Sequence, residues 1–297
     1  MGVENENKVA VVTDSSCSFS QEDLLARGLN ISVLPLHINF TINGETQSYA
    51  DGNLTPDEFR NKLQQSPALP TTDGSVQGSA LEIYPHLAEK TNQIISIHIT
   101  SKLSAAYSSA RTAADKVMEA KPGLLINVVD SKRISLAMFF LVELAAKMAA
   151  QQASLEEINQ GVIDAIPNTG FVFGLSTYEN LVKSGRVSQT KAWLATKIRT
   201  YPLLGMLGDS GELDKISLVR TVGKMPSTLK NTIVEACGSK EIARLAVLHT
   251  NNLSMATDLQ GMLQEIYPGE ILIKDVTASA IGIYAGDGGL GVAFMTN

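Results

Sequence analysis

Apolar runs of strand length alternate with helical patterns through the first half of the chain. The runs fall at Val9–Val12, Ile31–Phe40, Ile94–Ile99 and Leu124–Val129. Segments with apolar residues three and four apart lie between them, near Gln21–Arg27, Thr55–Gln64, Ala80–Lys90 and Leu103–Ala120. That alternation predicts a mostly parallel sheet with helices on both faces. A long Ala-, Leu-, Phe- and Met-rich stretch, about Ile134 to Gln152, predicts a buried helix. Ser154 followed by Glu157 reads as a capping box opening another helix. The cluster Pro167-Asn168-Thr169-Gly170 then marks a turn and the expected boundary between domains at 1–167 and 168–297.

Beyond the boundary the pattern changes. Phe171–Leu175 reads as a strand and Lys191–Ile198 as a short helix. Leu203–Leu207 and Leu213–Val219 flank Gly208-Asp209-Ser210-Gly211 and predict a hairpin. Helices are expected near Ser227–Ala236 and Ser254–Ile266, and strands at Leu245–His249, Ile271–Val276 and Val292–Met295. The expected fold class is α/β in two domains. The first is three-layered (α/β/α) around a mostly parallel sheet, and the second is two-layered with a mixed sheet.

Bulk properties narrow the function. At 297 residues, 44% hydrophobic and 18% charged, the chain is long enough and apolar enough for a large core. A net charge of −6 gives no support to a nucleic-acid partner. No apolar run approaches the length of a membrane span, so no integral membrane segment is expected. The polar, acidic stretch Met1 to Lys8 does not read as a signal peptide, and Cys17 and Cys237 make no disulfide framework. A cytoplasmic location is expected.

Several motif matches fail on context. Gly286-x-Gly288-x-x-Gly291 has the dinucleotide spacing, but only six residues follow it, too few for the helix and strand that the site requires. Gly208-Asp209-Ser210-Gly211 is better explained as a hairpin turn than as a nucleophile segment. There is no phosphate-binding P-loop, and His37, His86, His98 and His249 lack metal-ligand spacing, so no cofactor and no metal are expected.

The most telling joint is Thr100-Ser101-Lys102-Leu103-Ser104, where the run ending at Ile99 meets the next helical pattern. The first turn of a helix has free N–H groups and a partial positive charge. Hydroxyls placed there cap the helix, bind an anion, or do both. Around this joint stand Val11-Val12-Thr13-Asp14-Ser15-Ser16, Pro70-Thr71-Thr72, Val129-Asp130-Ser131-Lys132, Lys183-Ser184-Gly185-Arg186-Val187-Ser188, and Ile281-Gly282 running into the glycine-rich end. In that order, over nearly the whole chain, the set resembles the DegV family of bacterial fatty-acid-binding proteins.

The resemblance implies a long-chain fatty acid held between the two domains, its carboxylate on hydroxyls and an arginine and its tail in an apolar tunnel. It carries the carboxylate contacts onto Thr72, Ser104 and Arg186, with Thr71 and Ser101 beside them. Asp14 is read as holding loop geometry, and Ser131 as a cap at the next strand-to-helix joint. It also implies a carrier without catalytic machinery of its own, presenting the acid to a separate ATP-dependent fatty acid kinase. Four positions depart from the family pattern. Tyr284 stands where the family carries His and, with a carboxylate head group, is its expected fourth contact; Asp73-Gly74 replace Ser-Gln, Ala105-Ala106 replace Gly-Thr, and Phe139 and Phe140 replace small residues, which would narrow the tunnel. Two other readings remain open: a binding protein for a different amphiphile, and a small-substrate enzyme or kinase subunit on the same fold class.

Overall fold

The computed structural model describes residues 8–177, 179–186 and 201–297. The chain begins β1 (Ala10–Asp14), α1 (Gln21–Ala26), β2 (Ile31–Leu34), β3 (His37–Ile42), β4 (Glu45–Ala50), α2 (Pro56–Gln65) and β5 (Thr71–Asp73). Then come α3 (Gln77–Leu87), β6 (Gln93–His98), α4 (Ala106–Ala120), β7 (Leu125–Asp130), α5 (Ser135–Ala150) and α6 (Leu155–Ala165). The remainder is β8 (Thr169–Gly174), α7 (Glu179–Lys183), β9 (Tyr201–Met206), β10 (Asp214–Val219), α8 (Met225–Cys237), β11 (Ile242–His249), α9 (Leu253–Gln264), β12 (Ile271–Asp275), α10 (Ala280–Ala285) and β13 (Leu290–Thr296). The helix expected at Lys191–Ile198 lies outside the described residues, as do Val187 and Ser188.

Three sheets organise these elements. The first is parallel, in the order β2-β1-β6-β7, with α3 and α4 on one face and α5 and α6 on the other. Its strands carry continuous apolar runs because both faces are covered. The second has six strands in the order β10-β9-β8-β13-β11-β12; only β11 and β12 pair in parallel, so it is mixed. Helices α8 and α9 cover its outer face. A small antiparallel sheet, β4-β3-β5, stands apart from both.

The expected run Ile31–Phe40 is two strands in different sheets. Pro35 breaks it, since proline offers no N–H to a ladder and restricts the residue before it. The strand-to-helix joint is also longer than predicted. Leu103 and Ser104 donate their N–H groups to the Thr100 carbonyl in a tight turn, and α4 starts only at Ala106.

Helix α5 is apolar around most of its circumference because both large sheets cover it, and its one charged pair, Glu143 and Lys147, lies on the side that reaches solvent. It packs against β1 and β6 of the first sheet and against β8, β11 and β13 of the second. Phe139 lies against Phe19 at 4.4 Å between ring centroids, and Phe140 beneath the Arg244 guanidinium. Neither ring reaches the cavity between the sheets, so the expected narrowing of a tunnel by these two residues does not occur. The largest apolar cluster runs through α5 into Phe171, Ala246, Leu248, Val276 and Ala293 of the second sheet's half.

Polar links reinforce this contact. The fully buried Arg133 donates from Nε to the Thr169 carbonyl at 2.7 Å and from Nη1 to the Lys132 carbonyl at 2.7 Å. Its Nη2 reaches the Ile166 and Gly208 carbonyls. Burial without a bonded carboxylate pulls its pKa down to about 10. Thr100 Oγ1 donates to Gly211 O at 2.9 Å, tying the β9–β10 turn to the joint before α4.

A second buried charge makes a testable difference to stability. Asp51, in the loop after β4, is enclosed, and burial raises its carboxyl pKa from 3.8 to about 7. A folded-state pKa above the unfolded one means that this group favours folding fully below pH 3.8 and loses that contribution as pH rises through 7. At about 1.4 kcal/mol per pH unit, the loss is on the order of 4 kcal/mol at most. Asp51→Asn is expected to unfold at a higher temperature than the wild type at pH 8, with the advantage shrinking to nothing by pH 4. Paired melts across that range check it; an advantage that does not change with pH contradicts it.

Candidate functional site

Between the first and second sheets lies a largely apolar cavity, part of it open to solvent. The first half of the chain lines it with Leu36, Ile99, Leu103 and Ile134. The second half supplies Phe171, Phe173, Leu175, Met206, Leu248 and Leu290 among others. Helix α10 contributes Ala280, Ile281, Tyr284 and Ala285 as one wall. A close approach places that helix. A Cβ on Gly282 would sit 2.5 Å from the Val276 carbonyl oxygen and closer still to that of Thr277, so only glycine lets the preceding turn pack this tightly.

Three polar side chains from three distant segments meet on this wall. Thr72 lies in β5, paired opposite Ile38 of β3. Its Oγ1 accepts from Arg186 Nη2 at 3.0 Å and shares a hydrogen bond with the Tyr284 hydroxyl at 2.6 Å. Arg186, just past α7, lies over the Tyr284 ring with Cζ 4.2 Å from the centroid. Its Nη1 also donates to the Ser184 carbonyl at 3.3 Å. Ser104 lines the same cavity, and its Oγ accepts from Ala106 N–H at 3.2 Å, capping α4. The β5 chain passes close beside it. A Cβ on Gly74 would come within 3.0 Å of Ser104 Oγ.

Alternation along β5 decides the fate of its neighbours. Successive side chains point to opposite faces, so Thr71 and Asp73 turn outward and are exposed while Thr72 turns inward. Asp73 Oδ1 accepts from Ser75 N–H at 2.9 Å, which keeps this acid on the turn into α3 and off the cavity. Thr71 and Ser101, both expected beside the head-group contacts, are exposed and do not line the cavity. Ser101 instead donates its backbone N–H to the Asp130 carboxylate. Thr72, Ser104, Arg186 and Tyr284 are the expected site residues that the fold brings together.

The remaining polar groups on the wall are already committed. Ser16 gives its hydroxyl proton to Asp14 Oδ1, and Thr250 gives its own to the Gly286 carbonyl while accepting from Gly289 N–H. His249 accepts the Asn252 N–H on Nδ1 at 3.2 Å, and burial lowers its pKa against the opposing pull of Asp275. Asp14 itself is fully buried. One of its oxygens accepts from Ser16, the other from Ile99 N–H and from His98 Nδ1 at 2.9 Å. The other His98 nitrogen meets Ser96, which accepts from Tyr84. This hydrogen-bonded relay holds the loop after β1 in place, which is the structural role expected of Asp14.

A count of protons follows from these bonds. Arg186 donates to Thr72, and Thr72 and Tyr284 share one hydrogen bond between two hydroxyls. One hydroxyl proton is therefore left with no acceptor among the described residues. Among the described residues, Arg186 is the only permanently charged side chain on the cavity wall, and it has no carboxylate partner there. An apolar cavity with one cation and surplus hydroxyl protons has the donor set of an anion site.

Fold and site together define an α/β protein with a cation-bearing, largely apolar cavity between its two larger sheets. Residues 8–297 match the model of the DegV family of uncharacterised proteins. A DegV domain-containing protein of Listeria innocua is 31% identical over 291 residues, covering 98% of this chain and 99% of that protein. The chain belongs to the DegV family. Among solved structures, a Thermus thermophilus DegV family protein described by its fatty acid binding superposes with a TM-score of 0.85 at 24% identity, covering 98% of this chain and all of that one. The fatty acid kinase (Fak) B3 protein of Streptococcus pneumoniae, loaded with linoleic acid, gives 0.80 at 21% identity, again over 98% of this chain and all of that one. These likenesses establish the fold.

Proposed function

We propose that the protein binds a long-chain fatty acid, with Arg186, Thr72, Tyr284 and Ser104 around the carboxylate and the acyl chain in the cavity between the sheets. The observation that carries this reading is Arg186: the one cation among the described residues on the wall of a largely apolar cavity, bonded to a hydroxyl and stacked on Tyr284. A buried carboxylate without donors is heavily penalised, whereas a guanidinium and two hydroxyls satisfy both of its oxygens. The tail supplies the affinity. At about 0.8 kcal/mol per buried CH₂, a long acyl chain contributes roughly 10 kcal/mol before the costs of association. The ligands named for the Thermus and Streptococcus proteins support the same assignment.

The protein acts as a carrier in this reading, not as an enzyme. Ser104 Oγ faces the Ala106 N–H, and Thr72 faces only Arg186 and Tyr284, so neither hydroxyl has a general base beside it among the described residues. The likeness to a fatty acid kinase B protein supports presentation of the bound carboxylate to a separate ATP-dependent kinase. We place the domain division at 167/168, and the protein in the cytoplasm, in keeping with its two buried free thiols. Among the described residues no helix is long and apolar enough to cross a membrane.

Calorimetric titration of ligand-stripped protein with oleate and with oleyl alcohol tests this. The two share a tail and differ in charge. Oleate is expected to bind at least 100-fold more tightly; equal affinities, or no binding of oleate, overturn the reading.

A further inference from the structure

Helix α10 carries Tyr284 to the anion site, yet at six residues it is too short to be held by its own hydrogen bonds. Its middle is held by packing, because Ile283 sits in the apolar cluster of Ile38, Phe40 and Phe59. Asn180 Nδ2 donates to the Ile283 carbonyl at 3.0 Å and joins it to α7, the helix that leads to Arg186. Its first N–H, that of Ala280, donates to Asp51 Oδ1 at 3.1 Å. Asp51 comes from the other half of the chain, and its own position is fixed on both sides. Its backbone N–H donates to Leu36 O at 2.8 Å, and its Oδ2 accepts from Ser15 Oγ at 3.0 Å. Ser15 Oγ in turn accepts from Leu36 N–H at 3.1 Å. One carboxylate thus clips the loop after β1, and through Ser15 the β2–β3 connection, to the start of α10.

We propose that Asp51, although it does not line the cavity, is a positioning residue for the anion site: by holding the first turn of α10 it sets Tyr284 against Thr72 and beneath Arg186. The helix it holds spans the length of the cavity wall from Ala280 to Ala285. Loss of the clip frees one end of α10 while Ile283 still anchors its middle, so the helix tilts and does not detach. Tyr284, one residue beyond that anchor, then loses its register with Thr72. The effect on the ligand rests on the fatty-acid reading; the effect on the helix does not.

The test compares the wild type with Asp51→Ala and Asp51→Asn by oleate titration and by hydrogen exchange of the α10 amides. Asparagine keeps an oxygen for Ala280 N–H and can donate from its amide to Ser15 Oγ. Asp51→Ala is expected to weaken oleate binding about tenfold and to speed α10 exchange by a similar factor, with the exchange of β6 and α5 unchanged. Asp51→Asn is expected to stay within about twofold of the wild type in both. Where Asp51→Ala does not fold, Ala280→Pro takes its place, since it removes the same N–H at a helix position that accepts proline. Wild-type exchange in α10, or wild-type affinity, in the variant that lacks the clip overturns the proposal. Equal losses in Asp51→Ala and Asp51→Asn overturn it too. If the wild-type protein takes up no oleate, the fatty-acid reading fails and the exchange measurement alone decides the role of Asp51.

Discussion

Arg186→Ala is expected to weaken oleate binding by about 100-fold, or ~2.8 kcal/mol, while leaving the fold intact. The size follows from what the guanidinium does. Among the described residues it is the only permanent charge on the cavity wall, and it donates to Thr72, so its removal leaves a carboxylate facing hydroxyls alone in an apolar enclosure. The fold is spared because Arg186 is only half-buried and sits in a turn past α7. Arg186→Lys separates charge from geometry. An ammonium cannot grip two oxygens in one plane or stack as well on Tyr284, so about a tenfold loss is expected from it. Titration calorimetry and a thermal melt on each variant decide the matter. Unchanged affinity in Arg186→Ala would mean that the anion sits elsewhere.

The largest effect on stability is expected at Arg133. Replacing it with methionine keeps a long apolar stem but strips the donors from the carbonyls of Lys132, Ile166, Thr169 and Gly208. An unsatisfied buried acceptor costs about 1–3 kcal/mol. Some of that is recovered, because the desolvated cation is removed as well. A net loss of about 3–5 kcal/mol is expected, which lowers Tm by roughly 10 °C in a chain of this size. Arg133→Lys is expected to fare little better, since one ammonium cannot reach carbonyls spread around a planar fork. Melting temperatures within 2 °C or so of the wild type would show that water replaces these bonds at little cost.

Elements whose apolar period is long were legible before the structure. Three of the four parallel strands, the start of the fourth, the largely apolar helix α5, the capping box at Ser154 and Glu157, and the β9–β10 hairpin all appear within a few residues of their expected places. What escaped was short or polar. β4 reads Glu-Thr-Gln-Ser-Tyr-Ala and carries no apolar alternation, because as an edge strand it buries none of its residues fully. β5 is three residues long, and α10 is six. Neither length supports a period.

The site was legible in part for the same reason. Thr72, Ser104 and Arg186 stand in motifs shared with the family, and Tyr284 was visible as a departure from it. Outward-facing Thr71 and Ser101 could be separated from Thr72 and Ser104 only once β5 and the turn after β6 were in place. Asp51 and Arg133 gave no signal. Asp51-Gly52 looks like any turn, and the partners of Arg133 are backbone carbonyls, which carry no mark in a sequence.

The central claim is that this cavity holds a fatty acid by its carboxylate. Mass spectrometry of the purified protein, native and then after solvent extraction, tests it most directly. A long-chain fatty acid at one per chain in the wild type, absent from Arg186→Ala, is the result predicted here. A protein that carries no acyl ligand, and stays empty after incubation with palmitate or oleate, would contradict it.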